Sequence, residues 1–367
     1  MNIKKEIFSS IRLRQIINDL KRRPEDASKD LKIKYSVFNR YLSGKKRIDE
    51  QFVKKAVNIW PVNISDFINP YYQKTKPFKI MRAKDSIKTK RVMKRGGKDY
   101  YEYRDTVMDK DAPFRPEWIR ELVHVTKNNP NDKSLMWNRG HLLHQLTYFV
   151  GKVNFYYIDK NNKKRVAAMN TGDSMYIAPY VPHTFASWEK KCEGYIIAIT
   201  FSDKITTQIQ NEVSTFKNQK IKQIIFKKKF KKISKVTIKK NKKKINYSGP
   251  IQIIKLAENK IIPSTKFFEL NVRKNNSKNF TNNYHQYIYV LSNQAKLKIE
   301  NKKVNLKKGD TLYLKPFTNL RMPTKKTKLL IAQVESIFKQ DTIQQLFYIG
   351  QNNFKRLKND NAQWFKQ

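Results

Sequence analysis

Two stretches of this 367-residue chain repeat one another, and nothing else in it constrains the fold as strongly. LHQLTYFVGKVNFYYI (143–158) sets beside YHQYIYVLSNQAKLKI (284–299). GDSMYIAPYVPH (172–183) sets beside GDTLYLKPFTNL (309–320). In both copies, short runs rich in β-branched and aromatic residues are bounded by turn residues, the pattern of antiparallel strands. NNKKRVAAMN and GYIIAITFS add further strands to the first copy. Two similar β units are therefore expected, each a small double-sheet jelly roll.

The rest of the chain divides around these units. Residues 1–72 read as helical: Ile7, Phe8, Ile11, Ile16, Ile17 and Leu20 recur at near-helical spacing, and Pro24 suits the first turn of a second helix, PEDASKDL. IKYSVFNRYLSGKKRIDEQFVKKAVNIW then resembles the helix-turn-helix of the Cro/repressor class. A recognition-type helix ends at YLSG, and a further helix carries Phe52, Val53, Ala56, Val57 and Ile59. The fold class expected is α+β: a helix-turn-helix bundle followed by a bicupin whose second unit is degenerate. The boundaries are 1–72 for the helical module, 73–202 for the first cupin, 203–248 for a lysine-rich connector, 249–336 for the second cupin and 337–367 for a helical tail. That tail carries Phe347, Phe354, Leu357 and Trp364.

Lysine and arginine outnumber acids by 78 to 30, a formal charge of +48. This invites a nucleic-acid reading. The excess lysine, however, comes with abundant isoleucine and asparagine spread along the chain, as AT-rich coding would give. A basic surface would equally steer a small dianion inward. One cysteine, Cys192, excludes a disulfide framework and fits a reducing, cytoplasmic setting. The start MNIKKEIFSSIRLRQ has no long apolar run, and no stretch is apolar enough to span a membrane.

The chemistry concentrates in RGHLLHQLTYFV (139–150). Read as the start of a strand, it puts His141 and Gln145 on one face and His144 on the other. A cupin metal site pairs a histidine with an acid four residues on, and adds a histidine from a later strand. Here that later residue is His183, eleven after the turn at Gly172. The candidate metal ligands are His141, Gln145 and His183. The acid position holds glutamine, and position 177, another place from which a carboxylate could reach, holds isoleucine. A divalent ion in this donor set keeps its full charge, which favours an anionic substrate that brings its own oxygen ligands. The second copy replaces the first histidine with Asn282 and the last with Leu320, keeping Gln286, so it should be metal-free. His144 and His285 align with each other and read as packing residues.

At these residues the chain resembles, over essentially its whole length, the family of non-haem iron cupin enzymes that contains 2-hydroxyethylphosphonate dioxygenase and methylphosphonate synthase. The His-x-x-x-Gln pair and Ile177 side with the synthase, because the dioxygenase keeps a glutamate six residues before its last histidine. The resemblance implies one Fe(II) per chain and O2-dependent C–C cleavage of 2-hydroxyethylphosphonate to methylphosphonate and carbon dioxide or bicarbonate. The substrate supplies all the electrons. It further implies phosphonate contacts from Asn138, from Arg95 and Tyr103 in KRGGKDYYEY (with Tyr101 the rival tyrosine), and from Lys21 in DLKRRPEDA. Lys21 would come from a neighbouring subunit of a homo-oligomer. Two other functions stay open. One is the dioxygenase reaction, giving hydroxymethylphosphonate and formate. The other is a helix-turn-helix/cupin transcription regulator reading DNA through Lys34, Ser36, Asn39 and Arg40.

Overall fold

Helix caps and strand alternation account for the first elements met along the chain. In this computed structural model, residues 7–68, 76–125, 127–141, 143–188, 194–201, 236–241, 251–257, 265–273, 279–280, 283–321 and 326–335 are described. The described residues divide into two compact units, one up to Lys76 and one from Pro77 on. The expected tail, most of the connector, Cys192 and Asn282 lie outside the described residues.

The first unit holds α1 (Ser10–Asp19), α2 (Pro24–Asp30), α3 (Tyr35–Leu42) and α4 (Glu50–Ile59). Ser9 caps α1 by accepting from the Ile11 amide, Pro24 opens α2, and Asp49 caps α4 by accepting from the Phe52 amide at 2.8 Å. Leu13, Ile17, Leu31, Phe38, Phe52 and Val53 close the core between them. Ile7, Ile11 and Ile59, which helical spacing assigned to this core, are instead exposed.

Among the described residues the second unit is built of strands, with one short helix, α5 (Ala83–Lys88). In chain order the strands are β1 (Phe78–Met81), β2 (Arg91–Arg95), β3 (Lys98–Asp105), β4 (Phe114–Glu121), β5 (His144–Val150), β6 (Val153–Ile158), β7 (Lys164–Met169), β8 (Ser174–Ile177), β9 (His183–Ser187) and β10 (Tyr195–Phe201). They continue as β11 (Val236–Lys239), β12 (Ile251–Lys255), β13 (Thr265–Val272), β14 (Asn279–Phe280), β15 (Tyr284–Ser292), β16 (Gln294–Ile299), β17 (Lys302–Lys307), β18 (Thr311–Leu314), β19 (Leu320–Arg321) and β20 (Thr327–Glu335).

Four sheets result. The order β11-β8-β5-β10-β4-β3-β2 goes with the three-stranded β7-β6-β9. The order β1-β18-β15-β20-β13-β12 goes with β14-β19-β16-β17. The run β8-β5-β10-β4 corresponds to β18-β15-β20-β13, and β7-β6-β9 to β17-β16-β19, so the sequence repeat is a repeat of topology. Even the backbone follows it: Tyr180 and Phe317, equivalent in the two copies, both have left-handed φ (59° and 62°).

The pairing crosses the boundaries drawn from sequence. β1 precedes the first copy but pairs with β18 of the second. β11, from the connector, pairs with β8 of the first. Each copy thus lends its leading strand to the equivalent edge of the other. The large core accordingly mixes Phe114, Tyr148 and Ile197 of the first copy with Phe267, Tyr287 and Tyr313 of the second. Tyr148 also donates to Glu269 Oε2 across the copies at 2.7 Å. Among the described residues no helix is long and apolar enough to cross a membrane.

Candidate functional site

Strand register assembles the site on one face of the seven-stranded sheet. Residues opposite each other share a face. One row across the sheet reads Arg115, Thr200, Gln145, Ile177, and the next reads Glu117, Ala198, Thr147, Met175. Tyr103 lies opposite Ile119 on the neighbouring strand pair. The three-stranded sheet supplies His183 and Phe185, both buried. Between them is a cavity of about 290 Å³ lined by Gln145, Thr200, Glu117, Ile119, Tyr103, His183 and Phe185 together with Arg95, Tyr101, Asn138 and His141. A larger cleft of about 1370 Å³ runs past Lys239, Lys240, Arg273 and Lys328. Among the described residues its lining contains no histidine, so its size does not mark it as the site.

His141 reaches the site by a different route from the one expected. β5 begins at His144, and His141 sits in the preceding loop, not on the strand. Gly140, with φ +79°, lets that loop pass against the backbone of Tyr180, and the Tyr180 amide donates to the His141 carbonyl at 2.8 Å. The outcome is nonetheless the expected neighbourhood: His141 Nε2 stands 2.9 Å from Gln145 Oε1. The His141 and His183 rings meet edge-on, with centroids 5.2 Å apart. His144 points elsewhere, its Nδ1 2.7 Å from the Tyr176 hydroxyl and its ring stacked on Phe201. His285 repeats this contact with Tyr313 at 2.8 Å, so both aligned histidines are packing residues.

Each site imidazole faces a backbone carbonyl with Nδ1: His141 with Leu143 O at 2.6 Å, His183 with Val181 O at 2.8 Å. A carbonyl only accepts, so Nδ1 carries the hydrogen, and a neutral ring presents Nε2 as a bare lone pair. Burial, the largest cause, pushes the His183 pKa down to about 3, so that ring is neutral. Gln145 is held the same way round. Its amide nitrogen donates to Thr147 Oγ1 at 2.8 Å, which turns Oε1 toward His141.

The consequence is electrostatic. In its neutral form His141 presents Nε2 as an acceptor 2.9 Å from Oε1 of Gln145, a pairing that a cation between the two atoms makes favourable. That separation equals the edge of a coordination shell: two cis ligands about 2.1 Å from a metal stand about 3 Å apart. The residues present therefore fit a divalent ion. Among the described residues no cluster of three or more His, Cys, Asp or Glu side chains forms a metal site, because the third donor here is an amide. Ile177, directly opposite Gln145 and fully buried, supplies no carboxylate.

Around these atoms stand hydrogen-bond donors. Asn138 Oδ1 accepts from the Gly140 amide at 2.9 Å and the His183 amide at 3.0 Å. Its NH2 end is thereby aimed at the site, 3.1 Å from His183 Nε2. Arg95 is delivered by the β2–β3 hairpin, which turns on Gly96–Gly97, both with positive φ as a tight two-residue turn requires. Its guanidinium lies over the Tyr101 ring, 4.9 Å from the centroid, and donates to Met136 O.

The two candidate tyrosines differ. The buried Tyr101 hydroxyl accepts from the Phe185 amide at 2.9 Å and contacts Thr184 Oγ1 at 3.1 Å. The Tyr103 hydroxyl has no hydrogen-bond partner among the described residues. Burial, the largest cause, pushes its pKa up to about 12, so at neutral pH it is a donor. Lys21 belongs to the helical unit, where its Nζ lies 3.4 Å from Asn18 O.

Sequence reasoning missed Glu117, the one carboxylate among the described residues lining the cavity, and Thr147, Thr200 and Phe185. Burial raises the Glu117 pKa. Alternation along PEWIRE would have put Glu117 and Ile119 on one face. It could not have said which face is the cavity's.

Comparison with known proteins follows the same line. No family model matches the chain. It is 36% identical to methylphosphonate synthase of Nitrosopumilus maritimus (strain SCM1), over 95% of this chain and 94% of that one. The chain belongs to the methylphosphonate synthase family. It is accordingly an enzyme, an oxidoreductase of phosphonate metabolism. A shorter match, 32% identical over 28% of this chain and half of the relative, is to (S)-2-hydroxypropylphosphonic acid epoxidase of Streptomyces wedmorensis. Among solved structures, the chain resembles Streptomyces albus 2-hydroxyethylphosphonate dioxygenase with 2-hydroxyethylphosphonate and Fe(II) bound. The TM-score is 0.81 at 25% identity, covering 95% of this chain and 96% of that one. Membership in this family and the sheet-rich fold shared with that structure agree with the resemblance read from the site residues.

Proposed function

We propose that this chain is a non-haem Fe(II), O2-dependent enzyme that cleaves the C–C bond of 2-hydroxyethylphosphonate, giving methylphosphonate and carbon dioxide or bicarbonate. The observation that carries the reading is the convergence of His141 Nε2, Gln145 Oε1 and His183 Nε2, three acceptors with no acid at 145 or 177. These residues would hold one iron per chain. Bound iron would bring the substrate's oxygens and dioxygen together and exchange electrons between them.

The remaining work falls to the chain's own side chains. Asn138 Nδ2 and the Tyr103 hydroxyl donate to the phosphonate oxygens, and Arg95 balances their charge. Tyr101 is the scaffold of the pair, because its hydroxyl is already engaged by the Phe185 backbone and Thr184. Ile119 and Phe185 keep the reacting carbons in an apolar wall. Lys21, from the helical unit of a neighbouring subunit, adds a second cation. This requires a homo-oligomer, in which the helix-turn-helix-like bundle serves assembly and substrate binding while the two strand copies form a bicupin with one catalytic half. A cytoplasmic location fits this role.

The reaction balances without a co-reductant. One 2-hydroxyethylphosphonate and one O2 contain the atoms of methylphosphonate, carbon dioxide and water. The dioxygenase outcome, hydroxymethylphosphonate and formate, balances equally well. It is the second reading because a solved structure of that activity shares this fold. The greater identity to the synthase and the neutral Gln145 favour the first. The test is anaerobic loading with Fe(II), then admission of O2 with 2-hydroxyethylphosphonate in an oxygen electrode. One iron per chain, absent from His183→Ala, and one O2 consumed per substrate are expected. Two irons per chain, iron retained by His183→Ala, or uptake that needs an added reductant would overturn the reading.

A further inference from the structure

We propose that Thr147 is a positioning residue for the metal site: its buried hydroxyl holds the Gln145 amide with Oε1, not the NH2 end, toward the two imidazoles. This rests on the ligand set proposed above. A carboxylate has two equivalent oxygens, and either one can face a metal. An amide does not. If it turns over, it offers hydrogens to the ion and to the histidine lone pairs, and a ligand is lost. A glutamine ligand therefore needs a fixed acceptor for its nitrogen, which a glutamate would not.

Thr147 Oγ1 is that acceptor, 2.8 Å from Gln145 Nε2, two residues along β5 and on the same face. The side chain is 0% exposed, between Ala198 and Met175 in its row. A hydroxyl in so dry a place is costly unless bonded, and valine would fill the same volume in a strand without that cost.

The second copy is a control built into the chain. By the repeat, Gln286 stands where Gln145 does, and Leu320 stands where His183 does. Two residues after Gln286 the hydroxyl is absent and Ile288 fills the position. The Gln286 amide is used differently, its Oε1 accepting from Gln333 Nε2 at 2.8 Å. The glutamine persists in both copies, but the threonine accompanies it only in the copy with the histidines. The packing contact between His144 and Tyr176, in contrast, recurs in both copies as His285 and Tyr313.

The test compares Thr147→Val and Thr147→Ser for anaerobic Fe(II) affinity, measured by chelator competition, and for the iron-dependent rise in thermal unfolding temperature. Loss of a hydrogen-bond partner to a ligand lowers metal affinity about 10–100-fold. That loss is expected for Thr147→Val, with Thr147→Ser, which keeps the hydroxyl, retaining an affinity well above that of Thr147→Val. A packing role gives the reverse ranking, since valine keeps the shape and serine leaves a void. Wild-type iron affinity in Thr147→Val, or an affinity in Thr147→Ser no better than in Thr147→Val, overturns the proposal. Should Thr147→Val not fold, Thr147→Ala replaces it in the same comparison. His183→Ala separates the two levels. If it keeps its iron, the ligand reading fails. If it loses iron while Thr147→Val does not weaken binding, the role of Thr147 alone fails.

Discussion

Gly140→Ala tests how the loop before β5 delivers His141. At φ +79° an alanine sits in the left-handed region, at a cost of about 1–2 kcal/mol. Its Cβ would also stand 2.6 Å from the Tyr180 carbonyl carbon and 2.7 Å from its Cα. These are backbone atoms, and they cannot swing aside as a side-chain tip would. Overpacking of that kind costs about 1–3 kcal/mol. The sum is about 2–5 kcal/mol, which for a unit of this size lowers the unfolding temperature by about 4–20 °C. The chain has one other way out, which is to move the loop. His141 then moves with it, and a displacement of about 0.5 Å is enough to spoil a ligand's geometry. The assay measures thermal unfolding of the metal-free variant together with its Fe(II) affinity. A lower unfolding temperature, or an iron affinity reduced by at least about tenfold, is expected. A variant with both values unchanged would refute the claim that this close approach places the histidine.

Other outcomes follow from single side chains. Glu121 is 3% exposed, neither of its carboxyl oxygens has a partner among the described residues, and burial raises its pKa well above 4.5. A raised folded pKa means stability present below pH 4.5 and lost as pH rises through the folded value. Glu121→Gln should therefore raise the unfolding temperature at pH 7–8 (about two to four pH units above the ordinary carboxyl pKa) and change little at pH 4. A gain independent of pH would contradict the assignment. Tyr103→Phe should weaken 2-hydroxyethylphosphonate binding with unchanged stability. Tyr101→Phe leaves the Phe185 amide without its acceptor and should cost about 1–3 kcal/mol in a denaturant titration. The opposite pattern would exchange the roles of the two tyrosines. Lys21→Ala should raise the apparent dissociation constant for the substrate, read by isothermal titration, without changing iron content. An unchanged constant would make it an ordinary surface lysine.

What could be read from the sequence was whatever rests on local pattern. The repeat around Gln145 and Gln286 gave the paired β units, because strand alternation and turn residues are local. The same alternation separated His144 from Gln145. The partnering of edge strands is not local. Nothing in FKIM (78–81) or VTIK (236–239) says that each joins the other copy's sheet, since an edge strand's hydrogen bonds carry no sequence label. His141 was placed with the right neighbour for a wrong reason. Its approach comes from a left-handed glycine and a backbone contact to Tyr180, not from strand periodicity. Glu117 was missed because it sits two strands from Gln145, a distance only the register reveals. The choice between Tyr101 and Tyr103 needed hydrogen bonds to Thr184 and Phe185, more than eighty residues away in sequence.

The proposed function puts a neutral glutamine, in place of an acid, in a single iron site that yields methylphosphonate. Phosphorus NMR of the products formed by the Fe(II)-loaded chain from 2-hydroxyethylphosphonate and O2 tests it most directly. Methylphosphonate as the main product, with carbon dioxide or bicarbonate beside it, is the expected result. Hydroxymethylphosphonate as the main product, with formate in equal amount, would contradict it.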